Sequence, residues 1–280
     1  MARVAIVMGG AVLRDWSRVI GTLARLSDSL LLEAGSEQVL SAPKAAFGST
    51  EFPAEFFDDY RFTGSPAPML VRVHSRTFVS IFRRNEKDAT VDKIEIVVDE
   101  IQRTTECRIV VNVHCRYGVV KTYRITYEDA TALRVLDDTR GSQTFAVHAK
   151  VLKDYIEHTS PRAEEFALRF AGSQVTLSSY TEAIVLNKEI LKQPLVTSIV
   201  TDTADFEHVM VDDECELVFS LRDLRAVVAL GDMFNAVLTV SLGTGAAIIE
   251  FEANELQVRL TAAAAETAAA AAAANRRLGL

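Results

Sequence analysis

The sequence predicts an α+β protein made of two similar domains, each an antiparallel sheet structure with two helices packed on one side. Three observations lead there. The order strand, helix, strands, strand, helix, three strands occurs twice, with a period of roughly 130 residues, which marks a duplicated domain and not a solenoid. Each half has too few helical stretches to cover both faces of a parallel sheet. The stretch 113–129 in mid-chain reads as two β-rich runs meeting at a turn around Tyr117 and Gly118.

The elements of the first half follow in order. Residues 3–8 read as a strand and 11–26 as a helix, with Val12, Leu13, Trp16, Val19, Ile20 and Leu23 on one side and Arg14, Arg18 and Arg25 opposite. Residues 29–34 and 38–42 form a hairpin turned by Gly35 and Ser36, and 45–51 is a further strand. Phe52, Phe56, Phe57 and Tyr60 around Pro53 read as an apolar plug, and 63–68 as a loop. Residues 69–74 are a strand and 75–84 a second helix, with Ser75 as its expected N-cap. Phe78, Ile81 and Phe82 lie on one side of it; Arg76, Arg83 and Lys87 lie on the other. Strands at 90–98, 107–114 and 119–127 close the half. In the last, Val119, Lys121, Tyr123, Ile125 and Tyr127 share one face; both faces carry β-branched residues, so alternation alone leaves the buried face open.

Residues 128–142 show no period and read as an exposed acidic connector with an apolar patch of Leu133, Val135 and Leu136. The pattern then restarts. Residues 144–147 are a strand and 148–158 a helix with Val151, Leu152, Tyr155 and Ile156 inward. Strands at 165–171, 174–180 and 195–201 follow, then a short turn or helix at 205–210 and a strand at 216–219. A helix at 221–233 and strands at 236–242, 246–253 and 255–260 complete it. Residues 261–274 are nearly all Ala and Thr, a low-complexity stretch. The expected organisation is 1–127 first domain, 128–142 connector, 143–262 second domain and 263–280 Ala-rich tail.

Composition bounds the function. The chain is 49% hydrophobic and 24% charged, with a net charge of −8, which argues against a surface that coats nucleic acid indiscriminately but leaves room for a local basic face. Cys107, Cys115 and Cys215 have no metal-like spacing and read as free thiols of a reducing compartment. The N-terminal apolar run lacks a signal-peptide core, and no stretch before the tail is apolar for the length of a membrane span.

Catalytic and cofactor signatures are not found. Gly9 and Gly10 after the first strand lack the spacing of a nucleotide fingerprint. His74, His114, His148, His158 and His208 are scattered, and His114 and Cys115 alternate on a strand, so they face opposite ways. Asp212, Asp213 and Glu214 have the composition of a solvated turn more often than of a metal site. The expectation is no catalytic residue, no metal and no cofactor. What stands out is cationic: Arg14, Arg18, Arg25, Arg76, Arg83 and Lys87 recur on the outer sides of both first-half helices, where few acids accompany them. Such long side chains contact phosphates without reading sequence, although a solvated helix face is the common reason for any one of them. Lys150, Lys153, Arg222 and Arg225 repeat the theme more weakly, mixed with Asp154, Glu157 and Asp223.

The stretch from Val113 through His114, Cys115, Arg116, Tyr117, Gly118, Val119, Val120, Lys121 and Thr122 to Tyr123 resembles a strand pair of the Rad-nine subunit family of the nine-one-one DNA-damage checkpoint clamp, relatives of the sliding clamp proliferating cell nuclear antigen. Residues 78–83, 30–33 and 56–60 support the likeness, which extends over roughly residues 1–262 by the two-domain pattern. The resemblance implies the sliding-clamp fold: sheets outside, helices lining a hole around double-stranded DNA, and a heterotrimer with two other clamp subunits. It implies a nuclear, non-enzymatic platform for checkpoint and repair proteins, placed at damaged DNA by a clamp loader, with no membrane role. By position, the subunit joints fall on Val119, Lys121, Tyr123, Ile125 and Tyr127 in the first half and on Gln174, Thr176, Ser178 and Tyr180 in the second. Client peptides would dock at Leu133, Val135 and Leu136. Family members carry a long phosphorylated C-terminal tail, whereas this sequence stops after its Ala-rich stretch. The alternatives are a homotrimeric replicative processivity clamp and, with less support in the residues, a 3′-5′ exonuclease, which would need several carboxylates around metal ions.

Overall fold

A computed structural model describes residues 2–35, 38–43, 47–64, 67–99, 108–130, 143–160, 162–181, 184–186, 189–192, 195–211, 214–243, 246–253 and 256–262. The chain divides into two compact units, Met1–Val135 with Asn254–Val258, and Leu136–Ala253 with Arg259–Leu280.

The first unit opens with β1 (Arg3–Gly9) and α1 (Gly10–Leu26). Then come β2 (Ser29–Ala34), β3 (Gln38–Pro43), β4 (Phe47–Pro53), β5 (Asp59–Thr63), β6 (Met69–His74) and α2 (Ser75–Asn85). β7 (Val91–Asp99), β8 (Arg108–Cys115), β9 (Val120–Thr126) and the two-residue β10 (Glu128–Asp129) end it. Two antiparallel sheets result, ordered β5-β1-β7-β8-β9 and β10-β6-β2-β3-β4. Alternation places Val4, Ile6 and Met8 of β1, Ile94, Ile96 and Val98 of β7, and Ile109, Val111 and Val113 of β8 in the core. The same period settles β9: Ile125 and, just beyond the strand, Tyr127 are buried, while Val120, Thr122, Arg124 and Thr126 are exposed.

The expected aromatic plug forms. Trp16 of α1 is 1% exposed and packs its ring 4.7 Å from Phe52, 5.8 Å from Phe57 and 6.1 Å from Phe82 of α2. Phe52 and Phe56 are 5.2 Å apart. Beyond the plug the chain turns back as β5, where a loop was expected from Thr63 and a turn before it. The five residues of β5 carry little signal of their own; pairing with β1 makes them a strand. The N-cap expected at Ser75 is not formed either. Helix α2 begins at Ser75 after an extended His74, and the buried Ser75 hydroxyl donates to the Ser27 carbonyl at 2.7 Å. A nearer acceptor at the end of α1 takes the hydroxyl, so the two helices are tied at that point.

The second unit repeats the plan. β11 (Gln143–His148) and α3 (Ala149–Glu157) precede β12 (Glu165–Ala171), β13 (Gln174–Thr181), the small pair β14 (Ile184–Leu186) and β15 (Glu189–Lys192), and β16 (Leu195–Asp202). β17 (His208–Met210), β18 (Glu214–Ser220), α4 (Leu221–Met233), β19 (Val237–Gly243), β20 (Ala246–Ala253) and β21 (Leu256–Ala262) are the remaining elements among the described residues. The four-stranded sheet β16-β13-β12-β18 mirrors β4-β3-β2-β6, and β17-β11-β19-β20 mirrors β5-β1-β7-β8. The turn or helix expected at 205–210 is instead a 3-10 turn at Thr203–Asp205 followed by β17, which pairs with β11. Phe145, Phe166, Phe170, Leu177, Leu217 and Leu238 fill this core. α4 approaches it closely at Gly231, where a Cβ would lie 2.8 Å from Leu238 Cδ2 and 3.0 Å from Ala149 Cβ.

Candidate functional site

Helices α1 and α2 lie side by side, and the sequence decides which sides they bury. On α1 the apolar residues Leu13, Trp16, Val19, Ile20 and Leu23 are buried, leaving Arg14, Arg18 and Arg25 exposed. On α2 Phe78, Val79, Ile81 and Phe82 are buried, leaving Arg76, Arg83 and Arg84 exposed, with Lys87 just beyond. Gly21 faces α2, where a Cβ would stand 3.9 Å from Val79 Cγ1, at ordinary contact distance.

The charges differ in their commitments. Arg18 pairs with Asp15 at 3.3 Å, and Arg76 with Asp28 at 3.3 Å, the latter with both side chains 79% exposed. Exposed pairs of this kind are worth little and leave the cations exchangeable. Among the described residues Arg14, Arg83, Arg84 and Lys87 make no ion pair. Arg84 was not singled out in the sequence; its place in the last turn of α2 beside Arg83 was the signal available.

In the second unit two of the four expected cations, Lys153 and Arg225, are engaged within the unit. Lys153 of α3 bonds Asp232 of α4 at 2.7 Å, a partnership that raises the lysine pKa. The Arg225 guanidinium donates to Thr159 Oγ1 at 3.0 Å and to the Ser160 carbonyl at 3.4 Å. Arg222 lies 3.9 Å from its neighbour Asp223. Lys150 is exposed without an ion pair among the described residues.

The edge strands of the sheets, among the described residues, form the second feature. β9 ends its five-stranded sheet, as the expected joint at Lys121, Tyr123 and Ile125 requires, with Val119 in the preceding turn and Tyr127 just after the strand. Lys121 is already engaged: its ammonium lies 3.0 Å from Asp88, which raises the lysine pKa. Bonds from the Thr90 hydroxyl and amide, joined by Lys121, hold the Asp88 carboxyl down at about 2. The second joint needs correction. Gln174, Thr176, Ser178 and Tyr180 lie on β13, which is hydrogen-bonded to β12 on one side and β16 on the other. An interior strand has no backbone groups left for a neighbour, and the edge passes to β16, where Leu195, Val196 and Val200 are exposed by 53%, 45% and 59%.

The turn between β8 and β9 is the third feature. Tyr117 and Gly118 have φ of 64° and 75°, in the three-residue loop that separates the paired Cys115 and Val119. Tyr117 is 98% exposed. Leu133, Val135, Leu136, Asp212, Asp213 and Cys107 lie outside the described residues, so the expected client-docking patch is not seen here. Cys115 is a free thiol. Among the described residues no group of three or more His, Cys, Asp or Glu is arranged to hold a metal ion, and no helix is long and apolar enough to cross a membrane.

The family model described as Rad9 matches residues 16–262. The chain belongs to the Rad9 family. Relatives named DNA repair protein rad9 include that of Schizosaccharomyces pombe, 30% identical over 264 residues, covering 82% of this chain and 62% of its own length. That of Schizosaccharomyces octosporus is 31% identical over 274 residues, covering 86% of this chain and 62% of its own length. The Rad9-family chain thus spans somewhat under two thirds of these relatives. Among solved structures, proliferating cellular nuclear antigen of Entamoeba histolytica is 11% identical, with a TM-score of 0.64 over 95% of this chain and 100% of that one. The PCNA of Thermococcus kodakaraensis is 12% identical, with a TM-score of 0.64 over 94% and 100%. The fold of the Rad9-family chain is the sliding-clamp fold, as the resemblance implied.

Proposed function

We propose that this chain is one subunit of a heterotrimeric, DNA-encircling checkpoint clamp that works in the nucleus without catalysis of its own. In this reading residues 1–127 and 143–262 are its two clamp domains and 128–142 the connector. A clamp loader places the ring at damaged DNA, where it gathers checkpoint and repair proteins, with client peptides docking at Leu133, Val135 and Leu136. The observation that carries the reading is the pair of adjacent helices presenting Arg14, Arg83, Arg84 and Lys87 without ion pairs among the described residues, in a chain of net charge −8. An acidic molecule that keeps one cationic helix face has separated a phosphate-tracking surface from the rest. The positions of β9 and β16 at the ends of their sheets among the described strands support ring closure by strand addition.

Mass measurement of the chain alone and with its two candidate partner subunits tests the proposal. One copy of each subunit in a single complex is the expected result. A stable trimer of this chain alone that ignores both partners replaces it with the homotrimeric processivity clamp.

A further inference from the structure

We propose that the β8–β9 turn is a stacking contact for an unpaired nucleobase, so that the chain binds DNA carrying a single-stranded segment more tightly than blunt duplex. This deepens the proposed function and rests on its reading of the α1–α2 cations as a DNA surface. The Tyr117 ring is 98% exposed on a backbone with φ 64° and ψ 23°, a left-handed conformation that a bulky residue adopts only where its surroundings enforce it. They do so here. The Cys115 amide donates to the Val119 carbonyl at 2.8 Å, and the Arg116 amide to the Thr90 carbonyl at 2.8 Å, which fixes the turn against the segment that follows α2. The ring is therefore presented to solvent on a rigid mount.

Its setting is cationic. Arg116 is exposed beside it, and the segment it is bonded to begins at the basic end of α2, with Arg83, Arg84 and Lys87. Lys93 is exposed on β7 opposite His114. Of the acids in this segment, Asp88 is neutralised by Lys121, leaving Glu86 and Asp92. An exposed aromatic ring next in sequence to an exposed guanidinium, on a turn bonded to the segment that follows a basic helix end, suits single-stranded nucleic acid, in which phosphates track cations and any base offers a face to stack. Base–aromatic stacking tolerates every sequence, as a clamp that ignores sequence requires.

The test uses the full chain at low ionic strength with two DNA probes, a blunt duplex and the same duplex with a single-stranded overhang. Tyr117→Asn removes the ring with a residue that tolerates positive φ, Tyr117→Phe keeps the ring, and Arg83→Ala with Lys87→Ala removes cations of α2. We expect Tyr117→Asn to weaken overhang binding ~10-fold or more while leaving blunt-duplex binding unchanged, and Tyr117→Phe to behave as the unaltered chain. The double cation variant should weaken both probes. Unchanged overhang binding by Tyr117→Asn overturns the proposal, as does no preference for the overhang in the unaltered chain. Loss of association with a partner clamp subunit, with both DNA affinities intact, overturns it in favour of a protein contact. A cation variant that binds both probes normally defeats the underlying DNA-surface reading instead.

Discussion

Asp88 and Tyr60 are shifted in opposite directions by their surroundings. The Asp88 carboxyl titrates at about 2, below its ordinary 3.8, because Thr90 and Lys121 bond its charged form. Its folded pKa is depressed, so the stabilisation is present above the ordinary value and is lost as pH falls through about 2. NMR titration of the Asp88 carboxyl should show that midpoint, and Thr90→Val should move it upward. Tyr60 is the opposite case: burial pushes its phenol to about 12, and the hydroxyl donates to the Gly35 carbonyl. A raised folded pKa means the contribution is complete below 10.0 and is lost as pH rises towards 12. Ultraviolet titration should find a late-ionising tyrosine that Tyr60→Phe removes. The cations were legible singly in the sequence; their commitments were not. Lys153 and Arg225 read as weaker candidates than Arg83 because acids accompany them in sequence, but the partners that engage them, Asp232 and Thr159, came only with the fold.

Among the elements, the first-unit plug joins α1, α2 and the chain after β4. Phe52 is fully buried, and Phe52→Ala should cost ~3–5 kcal/mol, read by denaturant melting with Trp16, the single tryptophan, as the probe. In α4, Gly231→Ala places a methyl against Leu238 and Ala149 and should lower the melting temperature. The helices were readable because a 3.6-residue period is written locally, and Arg25, Arg83 and Arg84 in last turns also suit the helix dipole. Short strands β5 and β17 were not readable, since they are defined by partners far along the chain. The same cause hid the second edge. β13 has good strand character, but whether it is interior depends on β16 joining it.

On the scale of the whole molecule, the corrected edge gives a sharp expectation. Val200→Lys on β16 puts a charge on an exposed strand and should weaken assembly with partner subunits while the chain melts as before. A matched charge at Thr176, on interior β13, should act through stability of the chain itself. Analytical ultracentrifugation beside thermal melting separates the two. DNA association should fall steeply with salt, with a shallower dependence once Arg14, Arg83 and Lys87 are removed.

The sequence by itself determined the repeated element order, the four amphipathic helices, the mid-chain hairpin turn and the family resemblance that the family model bears out. Each is written in local periodicity or in residue identity at a turn. Only the tertiary structure decided which strands are edges, which face of β9 is buried, which cations are consumed by carboxylates and which tyrosine is half-buried at Gly35 rather than displayed at the β8–β9 turn. Those depend on what lies across a sheet or beside a helix, and such neighbours are set by chain closure over long separations.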